Sequence, residues 1–126
     1  MASPRKIIVV DDDADTAKSF ALLLRSLGHH VDFITDARAV AGTVRREKPD
    51  AVFLDIGMPH IDGFELASRL KRELQDVCLV AISGHGSDEY RRRGREAGFD
   101  AYVTKPVDMA MLESILETLF GPRRPR

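Results

Sequence analysis

The 126 residues contain one cysteine, no tryptophan and no long uninterrupted apolar run, and their charges nearly cancel. Each scarcity excludes something. Cys78 has no partner for an internal disulfide, which fits a reducing compartment. No stretch reaches the length of a membrane span, and residues 1–6 lack the apolar region of a signal peptide, so the expected address is the cytoplasm, with no membrane partner. With 19 Lys+Arg against 20 Asp+Glu, bulk electrostatics give no reason to expect nucleic-acid binding. What remains is an ordinary globular composition, 44% apolar and 31% charged, at a length suited to one compact domain without structural metal.

Five short apolar runs, at 7–10, 31–34, 51–54, 79–82 and 101–103, alternate with five longer segments of helical character. The runs are rich in β-branched residues and mostly continuous, as strands covered on both faces are. Asp13, Asp36, Asp62, Ser87 and Asp108 are expected caps or first-turn acids, with Asp15 in the first turn of its helix. Gly28, Pro49, Gly98 and Gly121 stand where helices should stop. Ala17, Phe20, Leu24 and Leu27 mark the buried face of the first helix, and Leu112, Ile115, Leu116 and Leu119 that of the last. The second helix (37–48), with Gly42 inside it, is weaker, and the fourth (about 88–97), with Arg91, Arg92, Arg93 and Arg95, weakest. Strict βα alternation predicts an α/β fold, a parallel sheet with helices on both faces. Residues 1–5 read as an amino-terminal tail, 6–120 as the domain, and 121–126 as a basic tail or linker start.

In such a sheet, ligands bind at the carboxyl ends of the strands, near the switch point in strand order. Asp11 and Asp12 end the first run, Asp55 the third and Ser83 the fourth, and Lys105 follows the fifth. Four strand ends thus deliver three carboxylates, a hydroxyl and an ammonium to one edge. Two carboxylates about 4 Å apart repel by roughly 4 kcal/mol at an effective dielectric of 20, so the cluster needs a cation. Oxygen ligands alone favour a hard ion, Mg2+ or Mn2+. One carboxylate can then act as nucleophile toward phosphorus, with Lys105 and Ser83 as positive and hydrogen-bonding contacts.

These pieces resemble the receiver domain of two-component response regulators, over essentially all of residues 6–120. The matching motifs are Val-Val-Asp-Asp-Asp at 9–13, Leu-Asp-Ile-Gly-Met-Pro at 54–59, Asp-Gly at 62–63, Ile-Ser-Gly at 82–84 and Lys-Pro at 105–106. The resemblance implies a flavodoxin-like doubly wound (βα)5 fold with a five-stranded parallel sheet of order 2-1-3-4-5. It implies that Asp55 is the phosphoacceptor and that Asp11, Asp12, Asp55 and the Gly57 carbonyl hold the metal. Lys105 would contact the phosphoryl group, and Ser83 and Tyr102 would be the switch pair. Ser83 would move toward the phosphoryl oxygens, Tyr102 would turn into the vacated space, and the fourth helix would shift. Lys105-Pro106 resembles the family's cis peptide, in a bond type where cis costs only about 0.5–1 kcal/mol. The implied partners are a histidine kinase or histidine phosphotransfer protein upstream, and a protein target on the face of the fourth helix, fifth strand and fifth helix. The domain would be a signalling phosphoacceptor that catalyses only its own phosphorylation and dephosphorylation, not an enzyme with a separate substrate.

Departures from the common pattern are Gly57, with no side chain to exclude or position water two residues after Asp55, and His85, two after Ser83. The 91–95 run reads as a solvated face, with a partner surface as the alternative. His29, His30 and His60 lack metal-ligand spacing and read as surface or turn residues; Cys78 reads as core. A haloacid-dehalogenase-like phosphatase would use an Asp near residue 11, but no acidic pair follows Lys105, and the Asp55 loop would go unexplained. A pseudo-receiver, a pure interaction module, is opposed by the intact set Asp11, Asp12, Asp55, Ser83 and Lys105. No DNA-binding output domain is expected in this chain. The 95–100 and 105–108 stretches resemble the receivers of hybrid histidine kinases, so a phosphorelay setting is one expectation and a stand-alone regulator another.

Overall fold

The computed structural model describes residues 4–121, so residues 122–126 of the basic tail expected over 121–126 and the first three residues lie outside it. Five strands and five helices alternate: β1 (Lys6–Val10), α1 (Ala14–Ser26), β2 (His30–Ile34), α2 (Val40–Glu47), β3 (Ala51–Asp55), α3 (Gly63–Glu73), β4 (Cys78–Ser83), α4 (Asp88–Ala97), β5 (Ala101–Thr104) and α5 (Met109–Phe120). All strand pairs are parallel, in the order β2-β1-β3-β4-β5. This is the expected doubly wound sheet. The chain leaves β1 toward β2 and returns to β3 on the other side, so the crevice of the switch point opens between the carboxyl ends of β1 and β3.

Alternate residues of the central strands feed two cores. Ile8, Val10, Val52, Leu54, Leu79 and Ala81 meet α2 and α3 through Val40, Val44, Leu66, Ala67 and Leu70. Ile7, Val9, Phe53, Val80 and Ile82 meet α1 and α5 through Phe20, Leu24, Leu112 and Leu116. The rings of Phe20 and Phe53 pack at 5.5 Å. Burial on both faces is why these strands read as continuous apolar runs, and each fully buried aliphatic or aromatic side chain contributes about 1.5–3 kcal/mol.

All five expected caps act as caps. The side chains of Asp13, Asp36, Asp62, Ser87 and Asp108 each accept from a backbone N–H of the first turn that follows. Asp36, however, caps a 3-10 turn (Ala37–Ala39), and α2 proper starts only at Val40. The single helix expected over 37–48 is thus shorter and tighter at its start. It ends on Lys48 in the left-handed region (φ 49°), just before Pro49. Gly98 closes α4 at φ 107°, where an L side chain would be strained. The Lys105-Pro106 bond is cis, as the resemblance implied.

Three expectations need correction. Cys78 is half-buried at the start of β4, packed against the second core rather than enclosed in it, and burial raises its thiol pKa. His29 is more than a turn residue: its Nδ1 accepts the Arg5 backbone N–H at 3.0 Å, 24 residues away, because the turn into β2 lies beside the start of β1. Arg5, assigned to the amino-terminal tail, is held by that bond and by its guanidinium stacking 4.3 Å from the Phe120 ring centroid.

Candidate functional site

Asp11 follows β1 directly, and its N–H donates to the Ile34 carbonyl at 3.1 Å, extending the β1–β2 ladder. This fixes its side chain at the switch-point crevice, 3% exposed. Its Oδ1 accepts the Asp13 N–H at 2.9 Å, while Asp13 itself caps α1. Asp12, between them, is exposed. Asp55 is the last residue of β3 and 6% exposed. Its Oδ1 accepts the Gly57 N–H at 2.7 Å, which folds the following loop back over it. The loop then enters α3 closely: a Cβ at Gly63 would meet Ile56 at 2.9 Å, so only glycine lets the helix begin there.

Carboxylate oxygens of Asp11, Asp12 and Asp55 all lie within 4.8 Å of one another. Lys105 is brought in by β5, whose register is carried past its end by the Lys105 N–H donating to the Ser83 carbonyl at 2.8 Å. Its ammonium lies 3.2 Å from Asp55 Oδ2 and 3.5 Å from Asp11 Oδ2. Burial pushes the Asp11 carboxyl above its ordinary range, and the neighbouring Asp55 carboxylate adds to this against the Asp13 N–H. Burial alone would lower the Lys105 pKa, but the carboxylates of Asp55 and Asp11 outweigh it and raise it, so the ammonium stays charged. Three carboxylates against one ammonium leave two formal negative charges unbalanced. An all-oxygen donor set, partly buried and short of positive charge, fits a hard divalent cation.

Ser83 ends β4, 2% exposed, one residue beyond Ile82, the register partner of Asp55. It reaches the same sheet edge, but its Oγ touches the loop and not the carboxylates: it accepts the His85 N–H at 2.9 Å. Tyr102, half-buried on β5, donates its hydroxyl to the His85 carbonyl at 2.7 Å. The two expected switch residues are therefore linked through the backbone of one residue, His85. A Cβ at Gly57 would stand 3.3 Å from Asp55 Oδ1, so the missing side chain leaves the carboxylate open on that side. A cleft of about 720 Å³ opens beside Asp12 between the loops after β2 and β3.

The arginine run is not a uniformly solvated face. Arg92, Arg93 and Arg95 are exposed, Arg93 with its guanidinium 4.4 Å from the Phe64 ring centroid, whereas Arg91 is half-buried and folds back on β5. Sequence reasoning missed Arg91, Thr104 and Gly94 as neighbours of the expected switch pair. The one available signal was a glycine inside a helix, which marks a close approach when it serves no cap.

The family model described as the response regulator receiver domain matches residues 7–117. The transcriptional regulatory protein PrrA of Mycobacterium tuberculosis is 35% identical over 123 residues, covering 98% of this chain and 52% of that protein. The chain thus spans about half the length of the curated relatives first matched. Among solved structures, a CheY-like response regulator receiver domain protein from Methanospirillum hungatei superposes with a TM-score of 0.85 at 28% identity, covering 94% of this chain and 95% of that one. The BeF3-activated receiver domain of DrrB, a Thermotoga maritima protein, gives 0.84 at 28% identity, covering 95% and 100%.

Proposed function

The chain belongs to the response regulator receiver family, the phosphoacceptor domains of two-component signalling, and from that premise we propose that Asp55 is the residue that takes the phosphoryl group. The observation that carries this assignment is the buried Asp55 carboxylate at a strand end, with Asp11 and Asp12 beside it and the Lys105 ammonium on its Oδ2. An Asp55 oxygen attacks the phosphorus of a phosphohistidine. The P–N bond breaks, its electron pair leaves with the imidazole nitrogen, and an acyl phosphate forms on Asp55.

Lys105 neutralises Asp55 before transfer and exchanges that carboxylate for a phosphoryl oxygen after it. Ser83, whose oxygen already accepts from His85, has its hydroxyl proton to donate to another phosphoryl oxygen. Asp11, Asp12, Asp55 and the Gly57 carbonyl are the proposed ligands of magnesium, with manganese as a substitute of the same oxygen preference. The metal, when bound, supplies a hard positive charge that screens the phosphoryl oxygens from the carboxylates. Gly57 leaves the acyl phosphate open to water, so a short-lived phosphorylated state is expected.

The domain acts on itself and not on a separate substrate. Its proposed upstream partner is a histidine kinase or histidine phosphotransfer protein, in the cytoplasm. Its proposed output surface is α4, β5 and α5, where Ser83 and Tyr102 would transmit the change. Among the described residues no helix is long and apolar enough to cross a membrane.

The test is intact mass with peptide mapping after incubation with acetyl phosphate and magnesium. One phosphate on wild type, absent from Asp55→Asn and after chelation, is expected. If the adduct hydrolyses too fast to weigh, beryllofluoride at Asp55 replaces it. An adduct on Asp11 or Asp12, or no beryllofluoride binding at Asp55, overturns the assignment.

A further inference from the structure

Arg91 differs from the other arginines of α4 in what it touches. Its Nη2 donates to Thr104 Oγ1 at 3.1 Å and its Nε to the Gly86 carbonyl at 3.4 Å, and its Cζ lies 5.1 Å from the Tyr102 ring centroid. One guanidinium thus ties α4 to the loop after β4 and twice to β5. A planar fork can bond at its edge while its face meets a ring, which a lysine ammonium cannot do. The surroundings are built for this closeness. A Cβ at Gly94 would stand 3.0 Å from Tyr102 Cδ2, and one at Gly86 3.3 Å from Thr104 Oγ1. Glycine is the poorest helix former after proline, yet it occupies the buried middle of α4 under the tyrosine.

The clamp closes a chain of contacts that begins at the site. Ser83 Oγ accepts from the His85 N–H, the His85 carbonyl accepts from Tyr102, Tyr102 lies under Arg91, and Arg91 returns to Gly86 next to His85. We propose that Arg91 is a positioning residue of the switch: it pins the 84–86 loop to β5 and holds Tyr102 on His85, so that Ser83 presents its hydroxyl proton to an anion at Asp55. Its effect on anion binding rests on the phosphoacceptor assignment. The clamp itself is a property of the free protein.

Two measurements separate these. In the free protein, hydrogen exchange of the His85 amide and the ring shifts of Tyr102 are followed by NMR in wild type, Arg91→Ala, Arg91→Lys and Thr104→Val. Arg91→Ala is expected to speed His85 exchange about tenfold and to move the ring signals, by opening the loop locally. Thr104→Val, which leaves the α4 surface intact, should give part of that change and add nothing on top of Arg91→Ala. Arg91→Lys, with the charge but not the fork, should fail to restore it. Unchanged exchange, or effects of the two sites that simply add, overturns the clamp. Beryllofluoride affinity with magnesium is expected to fall about fivefold in Arg91→Ala. Equal affinities in wild type and variant overturn the role in the switch. A wild type that binds no beryllofluoride overturns the phosphoacceptor assignment instead, and the exchange data still decide the clamp.

Discussion

His29 shows how a single side chain can carry a condition dependence that no motif announces. Partial burial lowers its pKa, with the nearby Arg5 and His30 charges adding to this and Asp50 opposing it. Its Nδ1 is also the acceptor for the Arg5 N–H, which only the neutral ring can be. The folded state therefore binds the His29 proton less readily than the unfolded chain does. Stability from this group is present above the unfolded value, near pH 6.5, and is lost as pH falls below it toward the depressed folded value. His29→Asn, whose Oδ1 can replace Nδ1 as acceptor, should lose that portion of the acid sensitivity. Urea unfolding from pH 7.5 to 5.5 checks this, and parallel profiles for the two proteins would sink it. Nothing in the sequence pointed here, because the partner is a backbone amide distant in the chain. The proposed site residues were legible for the opposite reason. Asp11, Asp12, Asp55, Ser83 and Lys105 are each defined by adjacency to an apolar run, so locating the strands located them.

Among the elements, α4 differs most from its neighbours. Gly94 is its one fully buried residue, so it owes less to core packing than α1 or α3 and more to its cap and its arginine contacts. Ser87 Oγ accepts the Tyr90 N–H at 3.2 Å. Ser87→Ala should cost about 1 kcal/mol locally and speed amide exchange in α4 roughly fivefold, while β1 and β3 amides stay protected. Equal loosening across the domain would show that α4 is not a separable unit. Sequence patterning identified this helix as the weakest and read its arginines as solvated, which holds for Arg92, Arg93 and Arg95 but misses the half-buried Arg91 on the Tyr102 ring. Strand limits were short by a residue in most cases. Lys6, His30, Asp55, Ser83 and Thr104 are polar or half-exposed yet still join the ladder. The 3-10 start before α2 was not legible either, since it differs from an α-helix in hydrogen bonding and not in apolar spacing.

At the scale of the whole molecule, a cation held in the crevice between β1 and β3 would couple its binding to folding. Folding brings Asp55 up against the adjacent pair Asp11 and Asp12, where the three carboxylates repel, so a cation bound only by the assembled cluster favours the fold by mass action. Magnesium at ten times its dissociation constant should add about 1.4 kcal/mol and raise Tm by roughly 5 °C. Chelator should reverse the rise, and Asp12→Asn should weaken it. A Tm indifferent to magnesium would count against the acidic cluster as a metal site. The stack of Arg5 on Phe120 has a different consequence. It brings a side chain from just before β1 against one from the last turn of α5, so the chain enters and leaves the domain on the same side. A domain whose entry and exit share one side can be set into a surface loop of a host protein, and can be recut at another loop with its old ends joined through a short linker.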